Sequence, residues 1–252
     1  MLGFGKNKAK QKTTQNSIEV TNVPTHIAII PDGNRRWAKL HHVPTQVGHR
    51  EGAYTFKRMV KAADRYGVKY ITFYAFSTEN WSREETEVNA LMDLMLGFLQ
   101  NAEKEIGGDN VVIKVIGDRT RLSVQLQQEI DRVERLTSTN TGLILFLAIN
   151  YGGRSELVHS VRELAKQVAA GTLSADEIEE STISDHLYTG GYPDPDLLIR
   201  TSKEERISNF LLYQMAYTEF YFTDVLWPDF NEEELKKALL CYQNRQRRFG
   251  GA

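Results

Sequence analysis

The residues with the most chemical potential stand together in Asp32-Gly33-Asn34-Arg35-Arg36-Trp37, directly after a short apolar run that begins at His26. An Asp at the tip of a strand can hold a divalent cation. A glycine lets backbone N–H groups approach a ligand closely, and two guanidiniums can neutralise phosphate oxygens. The combination favours a diphosphate with its metal. Asp-Gly-Asn alone is ordinary turn chemistry; the arginine pair and Trp37 turn the reading toward an anion site. Three further polar clusters recur along the chain: Ser77-Thr78-Glu79-Asn80-Trp81-Ser82-Arg83, Asn150-Tyr151-Gly152-Gly153-Arg154 and Arg200-Thr201-Ser202, with Arg206 just beyond the last. His49, in Val47-Gly48-His49, is expected at the mouth of a helix, where a ring nitrogen could donate to a phosphate. No His/Asp/Glu spacing resembles a zinc motif.

The elements needed to position these groups follow from periodicity. Strands are expected at His26 to Ile30, Tyr70 to Phe76, Val111 to Ile116, Leu143 to Ile149, Leu197 to Ile199 and Phe220 to Phe222. Helices are expected at Glu51 to Tyr66, Glu84 to Ile106, Arg121 to Leu136, Arg154 to Ala170, Ala175 to Leu187 and Asn231 to Gln246, with Gly67, Gly107 and Gly171 closing three of them. This alternation argues for an α/β domain with a mostly parallel sheet flanked by helices. All four polar clusters come directly after expected strands. Ligands of open α/β sheets bind beyond the carboxyl ends of the strands, so the four clusters imply one composite site. The segment Val88 to Leu99 carries Leu91, Met92, Leu94, Met95, Leu96, Phe98 and Leu99, a wider apolar stripe than a one-sided helix needs. Either it is fully buried, or it faces the core on one side and an apolar ligand cavity on the other; a diphosphate site beside such a cavity would suit a lipid-tailed substrate.

Composition narrows the alternatives. Lys and Arg number 31 against 33 Asp and Glu, a net charge of −2 over 252 residues, so no general basic character drives nucleic-acid binding and any anion site must be local. Cys241 is the single cysteine, which excludes an internal disulfide and fits a reducing cytoplasm. The longest apolar run, Leu143 to Ile149, is too short to span a bilayer. Residues 1–22 place Lys6, Lys8, Lys10 and Lys12 among polar residues without an apolar signal region and are expected to form a disordered arm. A membrane-surface role is the alternative for that arm. Residues 23–252 are expected to form one domain.

These residues resemble the cis-prenyltransferase family, and most closely the bacterial undecaprenyl diphosphate synthases. The resemblance runs from His26 to Gly251. It includes Asp32-Gly33-Asn34, Arg36-Trp37-Ala38-Lys39, Gly48-His49, Tyr74-Ala75-Phe76-Ser77-Thr78-Glu79-Asn80-Trp81, Asn150-Tyr151-Gly152-Gly153-Arg154, Ile199-Arg200-Thr201-Ser202, Arg206-Ile207-Ser208-Asn209-Phe210-Leu211, Tyr221-Phe222-Thr223-Asp224 and Leu226-Trp227-Pro228-Asp229-Phe230. The fold it implies is the cis-prenyltransferase fold rather than a Rossmann fold, with an apolar tunnel between sheet and helices. The activity it implies is Mg²⁺-dependent, repeated condensation of isopentenyl diphosphate onto farnesyl diphosphate, giving a long polyprenyl diphosphate of the undecaprenyl type that carries cell-wall precursors.

Carried over by motif, Asp32 is the metal-binding catalytic acid, Glu219 a second Mg²⁺ contact and Asn80 the proton acceptor. Gly33, Asn34, Arg36, Trp37 and His49 hold the allylic diphosphate; Arg200, Arg206 and Ser208 grip isopentenyl diphosphate; Ser77, Thr78, Glu79, Trp81 and Arg83 position the substrates. Leu143, Ala53 and Phe98 are candidate walls of the tunnel. The resemblance further implies a homodimer, with Arg248-Phe249-Gly250 reaching across to the partner's site, a cytoplasmic location and peripheral membrane contact for product release. A non-catalytic or partner-dependent homologue that binds prenyl diphosphates is the alternative; the phosphate loop of a nucleotide-binding protein is not found here.

Three departures from the family pattern stand out: Pro31 and Arg35 in place of Met and Gly, Thr45 where an Arg commonly precedes the His by four residues, and Lys203 in place of Gly. A lost arginine–phosphate bond costs about 1.5–3 kcal/mol, roughly tenfold to a few hundredfold in affinity. Arg35 is expected to supply the missing charge.

Overall fold

The computed structural model describes residues 19–106 and 110–245; the expected arm up to residue 18, the closing Gly107 and Arg248-Phe249-Gly250 lie outside them. Six strands, β1 (His26–Ile30), β2 (Tyr70–Ser77), β3 (Val112–Ile116), β4 (Ile144–Tyr151), β5 (Leu197–Arg200) and β6 (Glu219–Phe222), form one sheet in the order β3-β4-β2-β1-β5-β6. Every pairing is parallel. The strands read as unbroken apolar runs because both faces are covered: β1 is buried at all five positions. One face packs on Phe56, Met59 and Val60 of α2 (Thr45–Tyr66), Leu99 and Ala102 of α3 (Glu85–Glu105), Ile130 of α4 (Val124–Thr137) and Leu235 and Leu239 of α7 (Glu232–Gln243). The other is closed by Phe210, Leu211 and Met215. The remaining helices are α1 (Asn34–Leu40), α5 (Gly153–Ala169) and α6 (Glu180–Asp185). Among the described residues no helix is long and apolar enough to cross a membrane.

Local structure departs from the periodicity in three places, each with a physical cause. The Asp32 cluster continues into helix α1, which the pattern does not reveal because Asn34-Arg35-Arg36 reads as turn chemistry; Gly33, at φ 115°, turns the chain out of the strand and into it. Helix α2 starts at Thr45 rather than Glu51, behind Pro44, so His49 sits in its second turn and not at its mouth. A Cβ on Gly48 would lie 2.3 Å from the Asn34 carbonyl oxygen, so this glycine is what lets α1 and α2 touch. The expected helix from Ala175 to Leu187 breaks into a 3₁₀ turn at Ala175–Glu177 and the short α6, where the Ser174/Glu177 and Glu179/Thr182 capping boxes each start a new element.

At the amino end of the sheet, His26 is buried with Nδ1 2.7 Å from the Pro193 carbonyl oxygen and Nε2 2.8 Å from Thr72 Oγ1. Burial pushes its imidazole down from 6.5 to about 4, against the raising effects of Pro193 and Asp196. Between those values the unfolded chain binds the extra proton. The stability contributed by the neutral ring is therefore present above pH 6.5 and is lost as pH falls toward 4. Chemical denaturation at pH 7 and pH 4.5 is expected to show that loss in the wild type, and to show less of it in His26→Gln.

Candidate active site

Parallel alignment brings the carboxyl ends of the central strands level: Ile30 of β1 stands opposite Arg200 of β5, and Arg200 opposite Phe222 of β6. Asp32 follows β1 immediately. Its Oδ2 accepts from Arg200 Nη2 at 3.0 Å and its Oδ1 from Arg36 Nη2 at 3.3 Å. The backbone beneath it is clamped by Thr201, whose hydroxyl donates to the Asp32 carbonyl oxygen at 2.6 Å and accepts from the Asp32 N–H at 2.8 Å. The Trp227 N–H also donates to that carbonyl. The carboxylate is thus fixed at a strand tip between two guanidiniums.

Arg200 is only 3% exposed and donates through Nη1 to Ser208 Oγ at 2.8 Å and to the Arg206 carbonyl oxygen. Its Nε is buried and has no hydrogen-bond partner within the protein. Burial draws the guanidinium below its ordinary value, against the pull of Asp32. Glu204 bridges Arg36, at 3.0 Å, and Arg206. The segment carrying these groups is bent hard: Ser202, Lys203, Ser208, Asn209 and Leu211 all have positive φ. Lys203, at φ 58°, therefore holds a left-handed conformation that glycine adopts more readily than a residue with a side chain.

The second wall comes from the end of β2. Ser77 and Asn80 form a reciprocal cap: the Asn80 side-chain oxygen accepts from the Ser77 N–H at 3.1 Å, and the Asn80 N–H donates to the Ser77 hydroxyl. Glu79 accepts from Asn209 Nδ2 at 2.9 Å. Partial burial would raise its pKa, but the hydrogen bonds from Asn209, Ser77 and Thr78 outweigh this and hold it below the usual carboxylate range. Beside them, the buried Glu87 of α3 gathers three cavity-lining groups: His49 Nε2 at 3.2 Å, Arg83 Nη1 at 3.0 Å and Arg35 Nε at 3.8 Å.

These groups rim a cavity of about 890 Å³ whose floor is apolar. Asp32, Gly33, Asn34, Arg35, Arg36, His49, Ser77, Glu79, Asn80, Arg83, Arg200, Arg206 and Ser208 all line it. Below them come Ala53 and Phe56 of α2, Leu91, Leu94, Met95 and Phe98 of α3, and Phe73, Leu147 and Ile149 of the sheet. The wide apolar stripe of α3 is thereby explained: the helix is half-buried along most of this stretch, with one flank on the core and the other on the cavity. Leu143 points to the same sheet face as Leu147 but lies four residues nearer the amino end. It packs in the core and is not part of the lining.

Four expected site residues do not line the cavity. Trp37 turns away, donating from Nε1 to Asp229 Oδ1 at 2.8 Å and stacking on His41 at 3.9 Å between ring centroids. Trp81 donates to Asn150 Oδ1 at 2.7 Å under the Arg121 guanidinium, and Thr78 sits behind the rim near Gly152. Glu219 lies at the amino end of β6, three residues or roughly 10 Å along the strand from the level of Arg200. It pairs with Arg245 Nη1 at 2.7 Å. Within this chain, then, Asp32 and Glu219 do not share a metal site. Among the described residues no group of three or more His, Cys, Asp or Glu could hold a metal by itself.

The Asn150 cluster plays a different part from the other three. Asn150 donates to the Asp118 carbonyl oxygen and accepts from Trp81, while the Gly153 N–H donates to the Asn209 carbonyl oxygen at 2.7 Å, so the cluster supports the rim instead of forming it. Conversely, Glu87, Glu204, Thr201 and Asn209 hold the site together and are not among the expected site residues. Glu87 follows Arg83 by four residues across the start of α3, a spacing that could have marked it.

A fixed carboxylate, several guanidiniums and an apolar chamber in one cleft can bind an anionic head attached to a hydrocarbon tail. The comparisons with known proteins agree. The family model described as putative undecaprenyl diphosphate synthase matches residues 30–250. The isoprenyl transferase of Clostridium perfringens is 49% identical over 251 residues, covering 100% of this chain and 99% of that one. The isoprenyl transferase of Staphylococcus saprophyticus is 48% identical, covering 98% and 97%. Among solved structures, lavandulyl diphosphate synthase from Lavandula x intermedia, crystallised with dimethylallyl diphosphate, superposes with a TM-score of 0.87 at 41% identity over 90% of this chain and 98% of that one. A probable undecaprenyl diphosphate synthase from Campylobacter jejuni superposes with a TM-score of 0.75 at 31% identity, over 91% and 100%. On this fold, this cleft and these relatives, the chain belongs to the undecaprenyl diphosphate synthase family and is a prenyltransferase.

Proposed function

We propose that the protein condenses isopentenyl diphosphate repeatedly onto farnesyl diphosphate, each new double bond cis, to give a long-chain polyprenyl diphosphate of the undecaprenyl type. The observation that carries this reading is the junction of Asp32, Arg36, Arg200 and Arg206 with an apolar cavity of about 890 Å³. One pole takes diphosphates and the other takes a growing hydrocarbon.

In this reading Gly33, Asn34, Arg36 and His49, with Arg35, hold the allylic diphosphate, and Arg200, Arg206 and Ser208 hold isopentenyl diphosphate. Breaking the allylic C–O bond moves an electron pair onto the leaving diphosphate, where the guanidiniums stabilise it. The double bond of isopentenyl diphosphate then attacks the allylic carbon, a C–C bond forms, and a proton leaves to restore a double bond. Asn80 is an amide whose oxygen already accepts from Ser77, which makes it a poor base and a good orienting group. A diphosphate oxygen takes the proton. Growth drives the chain down between α2 and α3.

Mg²⁺ fits Asp32 as a single carboxylate beside the substrates' own oxygens, the usual way this cation is held at phosphate sites. When bound it supplies charge neutralisation for the diphosphate. Trp37, Thr78, Trp81 and Glu219 belong to the outer support of the site in one chain. The homodimer that the family resemblance implies, and the peripheral contact with the cytoplasmic membrane face for product release, remain part of the same proposal.

Purified protein incubated with Mg²⁺, farnesyl diphosphate and labelled isopentenyl diphosphate is expected to give a ladder of products ending in one dominant length. If no chain growth occurs with or without detergent, the reading fails.

A further inference from the structure

Glu87 does not line the cavity, yet it is the common partner of three groups that do. They come from three separate segments: Arg35 from α1, His49 from α2, and Arg83 from two residues before α3. The Glu87 side chain is 11% exposed, and a carboxylate only accepts hydrogen bonds. With Glu87 Oε1 3.2 Å away, the hydrogen of a neutral His49 ring belongs on Nε2. Nδ1 then keeps its lone pair and faces the Asn34 side-chain amide, 3.5 Å from Nδ2. Asn34 Oδ1 is buried with no partner of its own, so nothing else in the protein orients that amide through its oxygen. Glu87 thus acts on both ends of the allylic half: directly on two guanidiniums, and through His49 on Asn34.

We propose that Glu87 is the positioning residue of the allylic-diphosphate half-site, setting the tautomer of His49 and holding Arg35 and Arg83 in place before the ligand arrives. The proposal rests on the allylic reading of that half. Arg35 gains most from such a hold, because its side chain is 64% exposed and would otherwise spend its rotamer freedom on each binding event. The charged groups facing His49 are Glu87, Arg83 and Arg35; burial, more than these charges, keeps the ring below its ordinary pKa and therefore neutral at pH 7.

Two measurements on the full chain test this. Long-range ¹H–¹⁵N correlation spectra of histidine-labelled protein without substrate are expected to show His49 with its hydrogen on Nε2; a hydrogen on Nδ1 overturns the proposal. Calorimetric titration with inorganic diphosphate is expected to show binding weakened about tenfold in Glu87→Gln and partly recovered in Glu87→Asp. Equal or tighter binding by Glu87→Gln overturns it, because a carboxylate that merely masked the cations would release them when neutralised. Should Glu87→Gln fail to fold, the wild-type tautomer and Glu87→Asp still decide. Neither readout needs turnover, so a protein that binds diphosphate in this way but makes no polyprenyl chain would sink the functional reading and leave this one standing.

Discussion

Asp32→Asn is expected to lower kcat by about 10²–10³-fold while the protein stays folded, the scale seen when one preorganised electrostatic group at developing charge is removed. The amide keeps the shape of the side chain and loses only the charge. Its neighbours Arg36 and Arg200 would face a neutral group, and the one carboxylate offered to Mg²⁺ at the strand tip would be gone. The signature that separates this from simple damage is the metal titration. Wild-type rate should rise steeply with Mg²⁺, and the variant's residual rate should respond weakly. An Asp32→Asn enzyme with wild-type kcat and an unchanged Mg²⁺ response would remove Asp32 from the chemistry.

Arg200→Met carries the second large effect. Arg200 is the most buried of the arginines at the site, with Asp32 Oδ2 at 3.0 Å and Ser208 Oγ at 2.8 Å. Losing a charge-assisted contact to one diphosphate should raise KM for isopentenyl diphosphate by roughly tenfold to a few hundredfold, with a smaller change in KM for farnesyl diphosphate. The rate should fall as well, because Asp32 would lose one of its two partners. Arg200→Lys should recover little: a point ammonium cannot serve Asp32, Ser208 and a ligand from one planar fork. Steady-state kinetics with each substrate varied in turn checks this. Equal shifts in both KM values would mean that Arg200 does not distinguish the two half-sites.

Much of this was legible along the chain. Strand positions could be read from unbroken apolar runs such as Ile27 to Ile30 and Leu145 to Ile149, because a strand buried on both faces leaves no polar alternation. The composite site could be read from polar clusters that each follow a strand, because parallel strands deliver all their carboxyl ends to one edge. Helix α1 was hidden, since seven residues rich in Asn and Arg show no apolar period. The start of α2 was hidden for a related reason: its first turns carry Thr45, Gln46 and Gly48, whose value lies in contact with α1 and not in local propensity.

Side-chain direction was the other limit. Trp37, Trp81 and Glu219 carry the right chemistry at motif positions, yet in one chain each is committed to a neighbour, Asp229, Asn150 and Arg245 respectively. Glu87 and Glu204 look like ordinary surface acids in a charged stretch, yet each ties together cations that come from different elements. Residue type, periodicity and the order of elements are local properties, so the chain alone specified the α/β class, the sheet edge that bears the site and the diphosphate-like chemistry of that edge. Which of the candidate groups share a cavity, which acids hold them there and how far the apolar chamber extends depend on contacts between residues far apart in the chain, as between Asp32 and Thr201, 169 positions apart. Only packing brings such residues together, and no pattern within a window of sequence can hold that information.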